Sequence, residues 1–246
     1  MTPKHGSQAF EAQMARLEAN LGYRFVRREL LVEAVTHRSY ALEHPPTPHN
    51  ERLEFLGDAV LGFILCAWLV EQFPTAGEGE LAKAKGYLAA SAQLARAAER
   101  IGIGATLRLG RNEEQQGGRR KQNLLENAFE AVVAALYLDG GVAAATQAVR
   151  RIFAEEVAAL DFARIAALDA KTALQDWLRL HRRPLPVYQT VAVEGQSHQP
   201  TFHVIVEIEG RLLGEGRGPS RKAAEQAAAA IALERLRAAV KTDGGC

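Results

Sequence analysis

Between residues 8 and 159 apolar side chains recur every three or four positions, the period of a helix with one buried face, and strand-like alternation is hard to find. The pattern predicts helices over about 9–20, 28–37, 50–72, 78–100, 122–139 and 141–159. Two segments interrupt it: His44 to His49 carries three prolines, and Gly110 to Gly118 is polar and flanked by glycine, so both read as loops. Six or seven helices joined by short loops imply an all-α, bundle-like domain.

After Asp161 the period changes. Asp169 suits the N-cap of a helix from Ala170 to Leu180. Three strand-like runs follow, Val187–Val193, Thr201–Ile208 and Arg211–Gly216. In the second, Phe202, Val204, Val206 and Ile208 alternate with His203, Ile205 and Glu207, and Ile205 alone breaks the polar side. Glu209-Gly210 reads as a tight hairpin turn, and a last helix is expected from Pro219, in its first turn, to about Val240. Helix–strand–strand–strand–helix describes a small α+β domain. The chain is therefore expected to be multidomain: an all-α domain over 8–159, a linker over 160–168 and an α+β (α-β-β-β-α) domain over 169–240.

Composition narrows the setting. With 246 residues, 48% hydrophobic and 24% charged, the chain has the profile of a globular protein and the length for two cores. The apolar run from Val60 to Val70 has eleven residues, short of the ~20 needed to cross a bilayer, and reads as a buried helix. The N-terminal MTPKHGSQAF lacks the apolar stretch of a secretion signal. Cys66 and Cys246 make neither a disulfide framework nor a zinc site. A cytoplasmic protein with no membrane partner is expected. The net charge of +1 says little, and from Leu168 onward eleven Lys and Arg stand against nine Asp and Glu, so any positive charge that matters is local.

Candidate chemistry sits in the segment NERLEFLGDAVLGFILCAWLV. Glu51, Glu54 and Asp58 fall at i, i+3 and i+7, on one helical face among apolar neighbours. A second helix, NLLENAFEAVVAALYL, places Asn127 and Glu130 three apart. On one helix such a face is most often simply solvated. Here no Lys follows Glu51, Glu54 or Asp58 at i+4, and both helices are too apolar elsewhere to lie on a surface. Packed together, the two faces would gather like charges that need a cation, and oxygen-only donors suit Mg²⁺ or Mn²⁺.

HNERLEFLGDAVL, with THRS at Thr36–Ser39 upstream, resembles the signature of the bacterial ribonuclease III family, and the resemblance extends over about residues 10–238. It implies metal-dependent hydrolysis of both strands of double-stranded RNA, leaving 5′-phosphate and 3′-hydroxyl ends, with maturation of ribosomal, transfer and messenger RNA as the cellular role. It implies Glu54, Asp58 and Glu130 as ligands of Mg²⁺ (or Mn²⁺) and no organic cofactor. Glu51 and Glu78 would stand in the same valley, with Glu51, Asp58, Glu78 and Glu130 as the catalytic carboxylates. Phe55 would pack into a partner subunit of a homodimer. One position departs from the pattern: where the family usually has aspartate, three residues before Glu130, this chain has Asn127. Its amide oxygen can bind a cation or orient its water but carries no charge. Weaker metal affinity, a preference for Mn²⁺ or lost activity would each fit, the last leaving a double-stranded-RNA binder that does not cut. Glu126, four residues before Glu130, would reach the same cleft and offset the change. His37 reads as a structural, hydrogen-bonded residue rather than an acid–base group. Arg119, Arg120 and Lys121 read equally as phosphate contacts or as a solvated loop end.

The α+β segment offers three polar patches. Thr172, Gln175 and Arg179 share a helical face, EGQSHQP between the first two strands holds His198, and Ser220, Arg221 and Lys222 open the last helix, where cations and the helix N-terminus attract phosphate. Together with the G-x-x-H loop and SRKAAEQAAA they are similar to the double-stranded-RNA-binding domain. Such a domain reads A-form shape through two minor grooves and the phosphates between them. Ala223 stands where that family often has a polar or basic residue.

Overall fold

The computed structural model describes residues 4–162, 165, 170–196 and 199–243. The chain divides into two compact units, one ending at Leu160 and the other beginning at Asp161.

Helices build the first unit: α1 (Lys4–Leu21), α2 (Arg28–Ala34), α3 (Arg38–Glu43), α4 (Glu51–Gln72), α5 (Glu78–Leu88), α6 (Ser91–Ile101), α7 (Ile103–Thr106), α8 (Arg111–Gln115) and α9 (Gln122–Ala158). Helix α4 runs against α9, which α2 and α6 also cover. Leu53, Leu61, Ile64, Leu65 and Leu69 of α4 and Phe129, Val132, Val133 and Leu136 of α9 are all buried. The two helices meet most closely at Gly57, where an added Cβ would lie 1.9 Å from the carbonyl oxygen of Glu130. No side chain larger than hydrogen fits there. That contact sets Glu54 and Asp58 beside Asn127 and Glu130.

Several boundaries differ from the pattern. The helix expected over 78–100 is two, broken at Ala90, whose backbone is extended (φ −67°, ψ 140°) and whose carbonyl starts α6 by accepting from Gln93 and Leu94. With neither Gly nor Pro at the break, periodicity could not reveal it. The helix expected over 28–37 ends at Ala34, because Thr36 pairs with Arg108 in an isolated β-bridge. Within the expected loop 110–118 lies the short helix α8, followed by a 3-10 turn at Gly118–Arg120. Helix α9 covers both expected segments, 122–139 and 141–159, with non-helical backbone at Gly141 (φ 72°, ψ −174°). The Val60–Val70 run is buried on one side only: Phe63, Cys66 and Val70 are exposed. By length and mean hydropathy α4 and α9 could each cross a bilayer, yet much of each is buried within the unit and their carboxylates face one another.

The second unit comprises α10 (Ala170–Leu180), β1 (Val187–Gln196), β2 (Gln199–Ile208), β3 (Arg211–Gly218) and α11 (Arg221–Asp243). Its strands form an antiparallel sheet in the order β1-β2-β3. Ile208 pairs with Arg211 across the two-residue turn Glu209-Gly210, both at positive φ (54° and 73°), as a primed hairpin turn requires. Val204, Val206 and Ile208 point inward, and Leu174, Leu178, Ala228, Ala232 and Leu236 complete the core. Helix α11 begins at Arg221 rather than Pro219: Ser220 caps it, its hydroxyl accepting from the Ala223 N–H at 3.2 Å. The expected cap Asp169 and the loop residue His198 lie outside the described residues.

Candidate active site

Glu51, Glu54 and Asp58 from α4 and Asn127 and Glu130 from α9 line one cleft of about 600 Å³, together with His37, Asn50, Phe55 and Ala59. Glu51 and Asp58 are exposed, while Glu54, Asn127 and Glu130 are half-buried. Among the described residues no Lys or Arg lines the cleft. Its electrostatics follow. Burial pushes the Glu130 carboxyl up to about 7, and the nearby Asp58, Glu126 and Glu54 carboxylates push it the same way. Glu54 is also raised, by burial and then by Glu51 and Glu126, against the hydrogen bond that Asn127 gives its carboxylate.

The residues around the rim are largely engaged. Glu51 faces Arg38 at 3.5 Å and His49 at 3.7 Å. His37 caps α3: its Nδ1 accepts from the Ser39 N–H at 3.2 Å and lies 2.8 Å from Ser39 Oγ. Burial, foremost, holds its imidazole below the usual histidine range. That is the structural reading of His37, although it also lines the cleft. Arg119 pairs with Glu114 at 2.7 Å and donates to the Gly104 and Ala105 carbonyls at 3.1 Å, and Lys121 pairs with Glu113 at 2.5 Å, so both brace the loop. Glu78 comes from a third helix. It opens α5, is exposed and does not line the cleft, because the Gly77 turn places it on a separate helix.

Two residues escaped the sequence reading. Asn50 is buried at the head of α4, donating its N–H to the Thr36 carbonyl and accepting from the Glu54 N–H at 2.8 Å. An Asn directly before an acidic helix was the available signal. Ser91, from the start of α6, gives its hydroxyl proton to Glu126. Nothing in the spacing announces that contact.

In chemical terms the carboxylate and amide donors are all oxygens, and among the described residues no ion pair reaches Glu54, Asp58 or Glu130, which fits a hard divalent cation. Among the described residues no three His, Cys, Asp or Glu side chains stand together at metal-ligand spacing. The carboxylates share a cleft but would have to draw in around an ion.

In the second unit Thr172 and Arg179 are exposed and Gln175 is half-buried on α10, with Arg179 3.5 Å from Asp176. Arg221 pairs with Glu225 at 2.9 Å, Ser220 is engaged as the cap, and Lys222 is exposed.

Sequence comparison agrees with this division. A ribonuclease-III-like family model matches residues 27–157, and a double-stranded RNA binding motif matches residues 170–236. Ribonuclease 3 of Geobacter sulfurreducens is 45% identical over 222 residues, 89% of each chain. That of Symbiobacterium thermophilum is 46% identical over 213 residues, 87% of this chain and 90% of its own. In solved structures, the nuclease domain of ribonuclease III from Campylobacter jejuni is 36% identical and superposes with a TM-score of 0.52, covering 56% of this chain and 95% of that one. The chain belongs to the ribonuclease III family. Its first unit is the helical endoribonuclease domain of that hydrolase family, acting on double-stranded RNA, and its second is a double-stranded-RNA-binding domain.

Proposed function

We propose that the cleft between α4 and α9 hydrolyses phosphodiesters in both strands of duplex RNA with divalent cations, Mg²⁺ or Mn²⁺, leaving 5′-phosphate and 3′-hydroxyl ends. The observation that carries this reading is the Gly57–Glu130 contact, which brings carboxylates from two helices into one cleft. Glu54, Asp58, Asn127 and Glu130 would hold the cations. Bound there, they supply Lewis acidity, offsetting charge on the phosphodiester and making water a better nucleophile. The chain's own groups do the rest. Glu51, held by Arg38, borders the RNA side of the cleft. Asn127, beside Glu54 in the cleft, favours the charged form of its carboxyl. Asn50 fixes the first turn that carries Glu54. Glu78 would serve from outside this cleft.

A homodimer is part of the proposal. Phe55 (84% exposed), Phe63 (60%) and Val70 (60%), with Ala59 and Cys66, form an apolar face of α4 at four- and three-residue spacing. A second copy of α4 would cover it. The second unit would grip the duplex through Thr172, Gln175, Arg179, His198, Ser220, Arg221 and Lys222, and maturation of ribosomal and other structured RNAs in the cytoplasm is the implied role.

The test is incubation of a long perfect RNA duplex with the purified chain in Mg²⁺, in Mn²⁺ and in chelator, with analysis of the ends. Metal-dependent conversion to short duplexes with 5′-phosphates is expected. Asn127 favours one rival, a duplex binder that does not cut. A mobility shift without cleavage in either metal, with cutting gained by Asn127→Asp, would establish that rival instead.

A further inference from the structure

Asn127 leaves the α9 side of the cleft one charge short of the pattern it resembles, and α9 carries a carboxylate that the ligand set does not use. We propose that Glu126, clamped by Ser91, is a positioning carboxylate of the cation site and carries there the negative charge that Asn127 lacks. This rests on the metal-dependent reading above.

Helix geometry comes first. Residues advance by about 100° along a helix, so Glu130 lies roughly 40° from Glu126 and roughly 60° from Asn127 around the α9 axis. The two therefore flank Glu130, on either side and one turn earlier. Both are half-buried. They act differently. Asn127 lines the cleft beside Glu54 and favours its charged form. Glu126 is tied to α6 by the Ser91 hydroxyl.

That bond has a defined polarity. Gln122 Nε2 donates to Ser91 Oγ at 2.8 Å, so the oxygen of Ser91 is occupied as an acceptor and its own proton goes to Glu126. An ionised acceptor makes such a bond strong and fixes the carboxylate. No Lys or Arg is paired with Glu126 among the described residues, so its charge is not cancelled at source. Glu54 and Glu130 both feel that charge. Glu126 is outside the residues that line the cleft, so it acts through its charge, adding to the field that draws a cation between α4 and α9. Supporting groups behind the ligands commonly contribute about ten- to a hundredfold to metal affinity.

The experiment is Mn²⁺ binding to the full chain without RNA, followed by the electron paramagnetic resonance of free Mn²⁺. Glu126→Gln keeps an oxygen to accept from Ser91 and removes only the charge. It is expected to weaken Mn²⁺ binding about tenfold. Adding Asn127→Asp to that variant returns a carboxylate to the neighbouring position and restores the affinity, which a merely structural role would not allow. Ser91→Ala frees the carboxylate and is expected to cost a few-fold, as an independent reading should Glu126→Gln fold poorly. Unchanged binding in both Glu126→Gln and Ser91→Ala, or a double variant that stays weak, overturns the proposal and leaves the metal site standing. If the unsubstituted chain takes up no Mn²⁺, the metal-dependent reading falls and this inference with it.

Discussion

Glu130 concentrates the unfavourable electrostatics of the cleft. Its carboxyl sits at about 7 in the fold against an ordinary 4.5, from burial first and from Asp58, Glu126 and Glu54 next. The folded chain therefore holds this proton more tightly than the unfolded chain does. The stability tied to protonated Glu130 is complete below about pH 4.5, is lost as the pH climbs through 7, and is absent above that. Glu130→Gln, permanently neutral, should gain on the unsubstituted protein between pH 5 and pH 8 without metal. The gain is about 1–2 kcal/mol, reduced from ~1.4 kcal/mol per pKa unit because the group is only half-buried. Urea unfolding of the nuclease unit at the two pH values measures it, and a difference that does not change with pH would refute the account. At this scale Glu51, Glu54, Asp58, Asn127 and Glu130 were legible, because helical spacing fixes which residues share a face and apolar neighbours fix which face turns inward. Ser91 was not, because it belongs to a helix whose placement depends on packing between elements.

Helix against helix, the site depends on Gly57. A methyl group there would meet the Glu130 carbonyl at 1.9 Å, and since both partners are backbone only separation of α4 and α9 relieves it. Gly57→Ala is expected to destabilise the first unit by about 3 kcal/mol. It should also lower cleavage by about 100-fold through misplacement of the ligands. Thermal melting and single-turnover cleavage would show both, and near-normal activity would mean that the helix contact does not set the site. Most elements could be read from periodicity because each buries one stripe. The break at Ala90 could not, since a non-glycine residue simply adopts extended backbone there. Nor could the end of α2, where pairing of Thr36 with Arg108, 72 positions apart in sequence, overrides local preference. In the second unit the β2 alternation and the Glu209-Gly210 turn were both readable. The start of α11 shifted two residues because Ser220, not Pro219, satisfies its first N–H groups.

At the level of the whole molecule, the apolar face of α4 is the feature a single chain leaves unexplained. Phe63→Asp, on that face but outside the cleft, is expected to shift the protein from dimer to monomer in sedimentation equilibrium. A Phe63→Asp protein that sediments as the unsubstituted one does would remove α4 from the interface. The division into a nuclease unit and an RNA-binding unit was plain from the change of hydrophobic period after Asp161. The proposed pairing of copies is marked in the sequence only by Phe55, through resemblance, because no pattern within one chain says what covers a surface. If the α4–α9 cleft is where RNA is cut, chemistry and duplex binding should separate cleanly. The most direct measurement is therefore the single-turnover rate for Glu130→Gln on a duplex RNA in Mg²⁺, with duplex affinity measured alongside. The account predicts a rate lowered by orders of magnitude with affinity nearly unchanged, whereas cleavage that persists at the unsubstituted rate would place the chemistry elsewhere.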